Sequence, residues 1–494
     1  MRGAALRRGL AAVGGGGLLV LLSVFVYNSG FGHDALEYLV IGRSLVDGYP
    51  LYAYVPSKSW GLYVLAAAFL SIPGAGSHLG TALLVVGLIV LVAVVTLQII
   101  GRHFGSRAGW LAAGLVGLAA VFMELNYFQP EPLVFVCGLL AFGAMTSTVL
   151  PGWRRAGLAG VWLGIGMAFK SVAGFYLVAC AWCLLQREGG SAARWRAAAP
   201  LIGGFGLAVA LPAAYFAATG RIESHLHWSY WFPLFGYPAN GDWLAKLYTK
   251  LLWVWVVAGS AVVLWRRLPG AERDALRADM SVLVGMGLVA LLPLWKTQAS
   301  HYAFPGAALL LIASAVTVDR WLARGAAVPV ILWSAAVLLL GLASGLAYRP
   351  AAAQRFMQVR SWEEERALAS AVQALVGPDE FVLSLGEGAR LYWLARRYPN
   401  WPLVNTEVQT TDLVARDGAS LLEAFDDPQL ALVEFDPARP RFDDPRFLRD
   451  GRAAAFVRAI ESRLSAGFKR RDDVLPPLVF WVREPAAADA GGPR

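Results

Sequence analysis

Apolar runs long enough to cross a lipid bilayer recur along most of this chain, and they limit its fold more than any other feature. A transmembrane helix needs about 20 consecutive, mainly apolar residues. Runs around residues 83–95, 201–218, 281–294 and 328–347 meet that requirement with their flanks. Charged residues make up only 16% of the 494 positions, against about a quarter in a soluble domain. The sequence predicts an α-helical polytopic membrane protein.

The net charge of +9 does not indicate a nucleic-acid-binding protein. Arg and Lys stand at the ends of the apolar runs rather than in one basic stripe, which is typical of membrane proteins. The first run, residues 10–27, follows three arginines and lacks a clear small-x-small cleavage site. We interpret it as an uncleaved transmembrane helix rather than a signal peptide. Membrane lipids, and no nucleic acid, are the predicted surroundings.

The distribution of Arg and Lys among short loops predicts the orientation of the spans. With a cytoplasmic N-terminus, about eleven spans put every Arg-rich turn in the cytoplasm. These turns lie at residues 102–107, 154–155, 266–277 and 320–324. Two longer loops then face the periplasm: residues 31–74, with amphipathic helices and a short apolar helix at 60–72, and residues 219–250. We therefore predict a multi-pass protein of the bacterial inner membrane with a membrane domain over residues 1–348.

The tail beyond residue 348 has a different character, because it is charged and punctuated by Pro and Gly. Residues 349–484 are predicted to form a small periplasmic α/β domain, followed by a disordered tail at 485–494. The predicted helices are 361–375, 389–397 and 453–464, and the predicted strands are 381–385, 403–405, 430–435 and 478–482. The domain lacks both G-x-G-x-x-G and a P-loop, so the sequence indicates no nucleotide site.

The first periplasmic loop contains side chains suited to chemistry at a membrane surface. Residues 35–45 have helical amphipathic spacing, with Asp34 at the start, where the helix dipole would keep a carboxylate ionised. An ionised carboxylate at that boundary suits a general base, and Lys58 suits a phosphate contact. The structural alternative is that Asp34 only caps the helix and Lys58 only reaches to the membrane surface.

The pattern from Asp34 through Gly48-Tyr49-Pro50-Leu51-Tyr52 to Lys58-Ser59-Trp60-Gly61 resembles the first loop of glycosyltransferase family 39 and its relatives. These are the GT-C transferases, which include protein O-mannosyltransferases and lipid A aminoarabinose transferases. Two departures stand out. Ala35 replaces a common Glu, which weakens any argument for an Asp-Glu metal site, and Ser59-Trp60 replaces a Pro-Pro pair.

Three further segments extend the resemblance along the membrane domain. Gln129-Pro130-Glu131-Pro132 is similar to the family's second acidic segment. Gly164-Ile165-Gly166-Met167-Ala168-Phe169-Lys170 is similar to its Gly-rich short helix ending in Lys, and it fits two short helices over 157–185 with Lys170 at the turn. Lys296-Thr297-Gln298-Ala299-Ser300-His301-Tyr302-Ala303-Phe304-Pro305 is similar to its late Lys…(Arg or His)-Tyr-x-x-Pro segment. The resemblance covers roughly residues 10–347.

The resemblance implies a membrane glycosyltransferase that passes a sugar from a polyprenyl-phosphate donor to a lipid, glycan or protein acceptor at the periplasmic face. Asp34 would be the catalytic base, with Glu37, one turn away, as its alternative. Substrate binding, to the lipid phosphate or the sugar, would fall to Lys58, Glu131, Lys170, Lys296, His301 and Tyr302. No cofactor is required, and a divalent cation with Glu37 as a ligand is left open.

Two other classes of protein compete with the transferase. A transporter or flippase of polyprenyl-linked glycans also uses interrupted helices with a central Lys. It predicts charges along a pathway through the midplane, whereas a transferase predicts them at one face. A non-catalytic membrane scaffold with a periplasmic interaction domain would leave Asp34 dispensable.

Overall fold

The protein's computed structural model describes residues 33–52, 59–123, 125, 127–187, 191–236, 243–295, 300–325, 362–386, 388–401, 418–436, 452–474 and 478–484. The described residues form two compact units. The helical unit lies within residues 74–358, and the mixed unit combines residues from 31–73 with residues from 359–494. The predicted span at 10–27, the span at 326–347, the strand at 403–405 and the tail at 485–494 lie outside the described residues.

The helical unit consists of apolar helices joined mostly by short turns. In chain order they are α3 (His78–Phe104), α4 (Ser106–Phe122), α5 (Glu131–Thr146), α6 (Gly152–Phe169), α7 (Gly174–Arg187), α8 (Ser191–Ala218), α9 (Ile222–Leu226), a π-helix (His227–Gly236), α10 (Trp243–Arg266), α11 (Gly270–Ala290) and α12 (Phe304–Leu322). Most predicted spans in this part of the chain correspond to one of these helices. Within the predicted loop 219–250, α10 begins at Trp243.

Four stretches of the described chain are long and apolar enough to cross a membrane, judged by length and composition. They are His78–Phe104, Ala198–Ala218, Gly270–Leu294 and His301–Leu322. Their surroundings differ. Much of α8 is exposed, as a lipid-facing helix would be, whereas α12 is buried continuously from Phe304 to Asp319. The helical unit is therefore built around α12.

Glycines bring α6 and α8 unusually close together. A Cβ placed on Gly160 would lie 2.0 Å from the carbonyl oxygen of Leu201, and one on Gly204 would lie 2.1 Å from that of Gly157. Gly164 of α6 also faces α8, because a Cβ placed on Gly164 would lie 2.6 Å from Ala208 Cβ. Small residues at such interfaces let helix backbones approach, which is a main source of association energy in lipid. The α6–α8 contact has no room for a methyl group.

Ion pairs and polar contacts join the Arg-rich turns at one end of the helical unit. His103 contacts Asp279 at 2.9 Å, and Arg324 contacts Glu272 at 2.7 Å. Arg107 pairs with Asp319 and also donates to its backbone oxygen at 2.9 Å. Three turns predicted to share one side of the membrane therefore meet in space. We call this part of the helical unit the ion-pair end.

The mixed unit contains a four-stranded sheet in the order β1-β2-β4-β3. Its strands are β1 (Phe381–Ser384), β2 (Leu430–Glu434), β3 (Phe468–Arg471) and β4 (Phe480–Arg483), and its C-terminal helices are α13 (Trp362–Leu375), α14 (Ala389–Ala395) and α15 (Arg452–Gly467). β1 and β2 are parallel, and the other pairs are antiparallel. The predicted α/β character is confirmed, but β3 was not predicted.

A buried carboxylate fixes the loop after β1. Glu434, at the end of β2, accepts hydrogen bonds from Ser384 Oγ at 2.6 Å and from the Gly386 backbone at 2.9 Å. Ser384 Oγ in turn accepts from the Gly388 backbone at 2.6 Å, and the Tyr392 hydroxyl accepts from the Ser384 backbone at 2.8 Å. Burial raises the pKa of the Tyr392 hydroxyl well above its ordinary value. This network closes the turn that leads into α14.

The first loop contributes two helices to the mixed unit, α1 (His33–Val46) and α2 (Trp60–Leu70). The sequence-based division, which placed residues 31–74 in the membrane domain, differs from this arrangement. The expected amphipathic helix also differs, because residues 35–42 are all buried. Gly42 lets α1 approach α2, since its missing Cβ would lie 2.6 Å from Ala66 Cβ. With α14 packed against it as well, α1 does not present one face to water.

Candidate functional site

Glu131 occupies the first position of α5 and is almost completely buried. Pro130 and Pro132 flank it, and proline is favoured in the first turn because the missing N–H has no helical partner there. The helix dipole at this end stabilises a negative charge. The side chain is nonetheless only 1% exposed, so its carboxylate needs a compensating partner.

Lys170 stands at the break between α6 and α7. α6 ends at Phe169, the backbone of Lys170 is extended (φ −162°, ψ 134°), and a short 3₁₀ turn at Ser171–Ala173 leads into α7. The backbone N–H of Lys170 still donates to the Gly166 carbonyl at 3.0 Å. The predicted pair of short helices with Lys170 at the turn is confirmed.

The Lys170 ammonium is held by a carboxylate and an aromatic ring. Its Nζ donates a hydrogen bond to Glu131 Oε1 and lies 3.1 Å from the centroid of the Tyr302 ring. The His301 ring is 4.8 Å from that of Tyr302, and His301 also interacts electrostatically with Glu131. The lysine side chain is 16% exposed. We call Glu131, Lys170, His301 and Tyr302 the Lys170 cluster.

Burying the two ions of the Lys170 cluster costs free energy, so the geometry of their contacts is strongly constrained. Taking two ions out of water costs several kcal/mol per ion, about what their mutual attraction returns. The aromatic ring adds about 2 kcal/mol to the binding of a desolvated cation. Glu131 Oε2 and Gln129 Oε1 are buried and accept no hydrogen bond from the residues that the structure describes. A buried acceptor without a donor is unfavourable, and a ligand with hydroxyl or ammonium groups would satisfy it.

The Lys170 cluster and the ion-pair end lie at opposite ends of α12. His301 and Tyr302 immediately precede this helix, whereas Asp319 is near its end. The 19 residues of α12 extend about 28 Å, close to the thickness of the hydrocarbon core of a bilayer. Among the described residues, the ion pairs of the Lys170 cluster and those of the ion-pair end thus form two separate groups.

The two carboxylates proposed as bases lie on α1 in the mixed unit. Asp34 is the second described residue of the helix, as predicted from its position before the amphipathic run. Glu37 is fully buried, and its Oε1 accepts a hydrogen bond of 3.0 Å from the Tyr63 hydroxyl on α2. This hydrogen bond joins α1 to α2. Lys58 and Lys296 lie outside the described residues.

Replacing Tyr63 by Phe tests the hydrogen bond between Tyr63 and Glu37. We expect the free energy of unfolding to fall by about 1–3 kcal/mol, because the buried Glu37 carboxylate loses a hydrogen-bond donor. Thermal unfolding of the purified protein would measure the change. Tyr52→Phe provides a control, since Tyr52 is less buried and lies in a turn outside the helices. Equal stability of the two variants would show that the Tyr63–Glu37 bond contributes nothing.

The structure brings together three of the dispersed motifs but also contains contacts that were not predicted. Glu131, Lys170 and His301-Tyr302 come from separate segments, and their family order alone did not indicate that Glu131 pairs with Lys170. Tyr63 was quoted only as part of an aromatic run. Among the described residues, no group of three or more His, Cys, Asp and Glu side chains is arranged to hold a metal ion. A divalent cation therefore stays a prediction.

Comparison with solved structures gives the class of fold. ArnT from Cupriavidus metallidurans in the apo state has a TM-score of 0.61 and 15% identity, covering 96% of this chain and 100% of that one. ArnT bound to undecaprenyl phosphate has a TM-score of 0.61 and 13% identity over 98% and 100% of the two chains. The oligosaccharyltransferase AglB from Archaeoglobus fulgidus, complexed with an inhibitory peptide and a dolichol-phosphate, has a TM-score of 0.51 and 10% identity over 95% and 74%.

These similarities show that the chain has the fold of a GT-C membrane glycosyltransferase. No family model matches the sequence, and no curated protein sequence matches it. The similarity to ArnT extends over nearly the whole of both chains, so it includes the mixed unit as well as the helical unit. The predicted fold class, a multi-pass helical membrane protein with a small C-terminal α/β domain, is confirmed.

Proposed function

We propose that this protein transfers a sugar from a polyprenyl-phosphate donor to an acceptor at the periplasmic face of the membrane. The observation that carries the proposal is the Lys170 cluster, a buried ammonium fixed by a carboxylate and an aromatic ring at one end of a GT-C helical unit. The same fold in ArnT binds undecaprenyl phosphate. A cation held in a poorly solvated site suits the binding of a lipid phosphate.

The proposed orientation follows from the two ends of the helical unit. Arginines are retained on the cytoplasmic side of bacterial membrane proteins, so the ion-pair end would face the cytoplasm. The Lys170 cluster, at the other end of α12, would then face the periplasm. This supports the inner-membrane location and a cytoplasmic N-terminus. A cysteine introduced at Ser57 would be labelled from outside intact cells under this topology.

The proposed reaction is a displacement at the anomeric carbon of the donor sugar. The bond between that carbon and the phosphate oxygen breaks, and its electrons leave with the polyprenyl phosphate. A bond forms from the acceptor oxygen or nitrogen to the same carbon, and the acceptor proton passes to Asp34. Lys58, Lys170, Lys296 and His301 would bind the phosphate and stabilise the leaving charge. Glu131 and Tyr302 would hold Lys170 in place for this role.

The proposed substrates are defined by their chemical class. The donor is a hexosyl or a pentosyl compound, and the acceptor is a lipid, a glycan or a protein. Glu37 is retained as the alternative base, although its bond to Tyr63 favours a structural role. A divalent cation would need carboxylates such as Asp34 and Glu37 as ligands.

Replacing Asp34 by Asn tests the assignment of the base. We expect kcat to fall by about 10²- to 10⁴-fold, because the acceptor loses its general base, while donor binding changes little. The donor for the assay is the polyprenyl-phosphate sugar fraction that accumulates in cells lacking the protein, labelled in the sugar. Asp274→Asn, at an exposed position of α11, is the matched control. Full activity of Asp34→Asn would overturn the assignment.

One observation favours the transporter as a second candidate. The helical interruption at Lys170 resembles the broken helices of secondary transporters. Reconstitution in proteoliposomes separates the two functions. A transferase forms a glycosylated acceptor and releases polyprenyl phosphate, whereas a transporter moves the intact donor across the bilayer without breaking the sugar–phosphate bond.

A further inference from the structure

The helix that carries Asp34 is enclosed by other elements of the mixed unit. From Ala35 to Ile41 every residue of α1 is buried. One side is covered by α2, which approaches at Gly42, and α14 of the C-terminal domain packs against α1 as well. A short helix buried in this way takes its orientation from its neighbours, because its own backbone is too short for independent stability.

A cation–π contact joins α1 to α14. The Arg43 guanidinium carbon lies 3.9 Å from the centroid of the Trp393 ring, and Arg43 Nη1 donates to the Trp393 carbonyl oxygen at 3.4 Å. Trp393 is only 5% exposed. Burial lowers the pKa of Arg43 from its ordinary value, although the nearby Asp47 opposes this effect. A planar guanidinium on a buried indole is a contact that Lys would not reproduce.

A second contact lies just beyond the end of α1. The Tyr398 hydroxyl donates a hydrogen bond to Asp47 Oδ2, and the rings of Tyr398 and Tyr49 meet edge to face with centroids 5.5 Å apart. Arg43 and Asp47 are four residues apart, about one helical turn, and both contact the segment that follows β1. The two contacts therefore fix both the position and the rotation of α1. We call Arg43, Asp47, Trp393 and Tyr398 the α1 latch.

We propose that the C-terminal domain is a positioning element for the transfer reaction, and that the α1 latch holds Asp34 in its working orientation. Asp34 lies nine residues before Arg43 on the same helix, so about 13 Å separates the latch from the base. A tilt of the helix at the latch would displace the base in proportion to this separation. The inference rests on the proposed function of Asp34. It also explains why a membrane transferase would carry this C-terminal domain.

The test compares Trp393→Ala and Tyr398→Phe with Arg463→Ala in the full-length protein. Arg463 pairs with Asp426 on an exposed surface of the same domain, so its loss removes an Arg contact without touching the latch. We expect Trp393→Ala to lower kcat by about 10- to 100-fold, the size of effect that misplacement of a reacting group produces. KM for the donor should stay within about twofold. Tyr398→Phe should act in the same direction with a smaller effect.

A second readout does not depend on transfer. Hydrogen exchange of the peptide covering residues 35–46 should become faster in Trp393→Ala and stay at the wild-type rate in Arg463→Ala. Trp393→Phe, which keeps an aromatic surface for Arg43, should recover much of both properties. Trp393→Ala and Arg43→Ala together should be no worse than Trp393→Ala alone, since they remove the same contact.

The outcomes separate the two proposals. The positioning role would be overturned if folded Trp393→Ala kept its kcat, or if Arg463→Ala lost as much kcat as Trp393→Ala. Sugar transfer by the wild-type protein would still support the proposed function in either case. Unchanged exchange of residues 35–46 in Trp393→Ala would overturn the latch itself. If the wild-type protein transferred no sugar from the accumulated donor fraction, the proposed function would fail, and the role of the latch in catalysis would fail with it.

Discussion

Replacing Lys170 by Met is expected to abolish sugar transfer and to destabilise the protein. The variant leaves the Glu131 carboxylate, which is 1% exposed, without its counter-ion. Removing one partner of a buried ion pair costs about 3–5 kcal/mol. Binding of undecaprenyl phosphate should weaken by about tenfold or more, because a charge-assisted contact is lost. Equilibrium unfolding in mixed micelles and titration with undecaprenyl phosphate in nanodiscs would measure the two effects.

The double variant Lys170→Met with Glu131→Gln separates stability from function. Neutralising both partners removes the unpaired charge, so most of the lost stability should return. Transfer and phosphate binding should stay low, because the cation is still missing. Arg267→Met, at an exposed position, is the control for a general loss of positive charge. If Lys170→Met were as stable as the wild type, the pair would not be a buried ion pair in the membrane.

The second large effect is expected at the contact between α6 and α8. In Gly160→Ala the new methyl group would lie 2.0 Å from the Leu201 carbonyl oxygen, a rigid backbone atom. The helices must separate, at a cost of about 1–3 kcal/mol or more. Because α6 ends next to Lys170, the displacement should also reduce transfer. The yield of folded protein in size-exclusion chromatography and its thermal unfolding would report the effect.

Gly206→Ala is the matched control for this prediction. Gly206 is on α8 as well, but a Cβ there would meet open space. Alanine is a better helix former than glycine by about 1 kcal/mol, so this variant should be as stable as the wild type or slightly more stable. The close-packing argument would be wrong if Gly160→Ala and Gly206→Ala behaved alike.

Much of the helical unit was predictable, because bilayer-length apolar runs and Arg-rich turns are local signals. The break at Lys170 was predictable for the same reason, since a lysine interrupts an apolar run beside glycines. The pairing of Glu131 with Lys170 was not, because 39 residues separate them and neither motif encodes the other's position. Family order indicated that both belong to a site without indicating their contact.

The burial of α1 on all sides was not predictable from the sequence, for a different physical reason. The spacing of residues 35–45 predicts a helix with water on one side and lipid on the other, whereas α2 and α14 cover it. Arg43 and Trp393 are 350 residues apart, and no local pattern connects them. β3 was missed because Phe468-Lys469-Arg470-Arg471 is highly charged. As an edge strand it needs only one paired side, and its charges can stay in water.

The enclosure of α12 also affects how the protein enters the membrane. Most of this helix touches protein instead of lipid, and it includes Ser314, Thr317 and Asp319. A helix with an aspartate and hydroxyl side chains partitions into bare hydrocarbon less readily than a purely aliphatic one. The neighbouring helices provide the polar contacts that this helix would lack in bare hydrocarbon. One of these contacts is the pairing of Arg107 with Asp319. Formation of the Lys170 cluster is thereby coupled to assembly of the surrounding helices, since His301 and Tyr302 immediately precede α12.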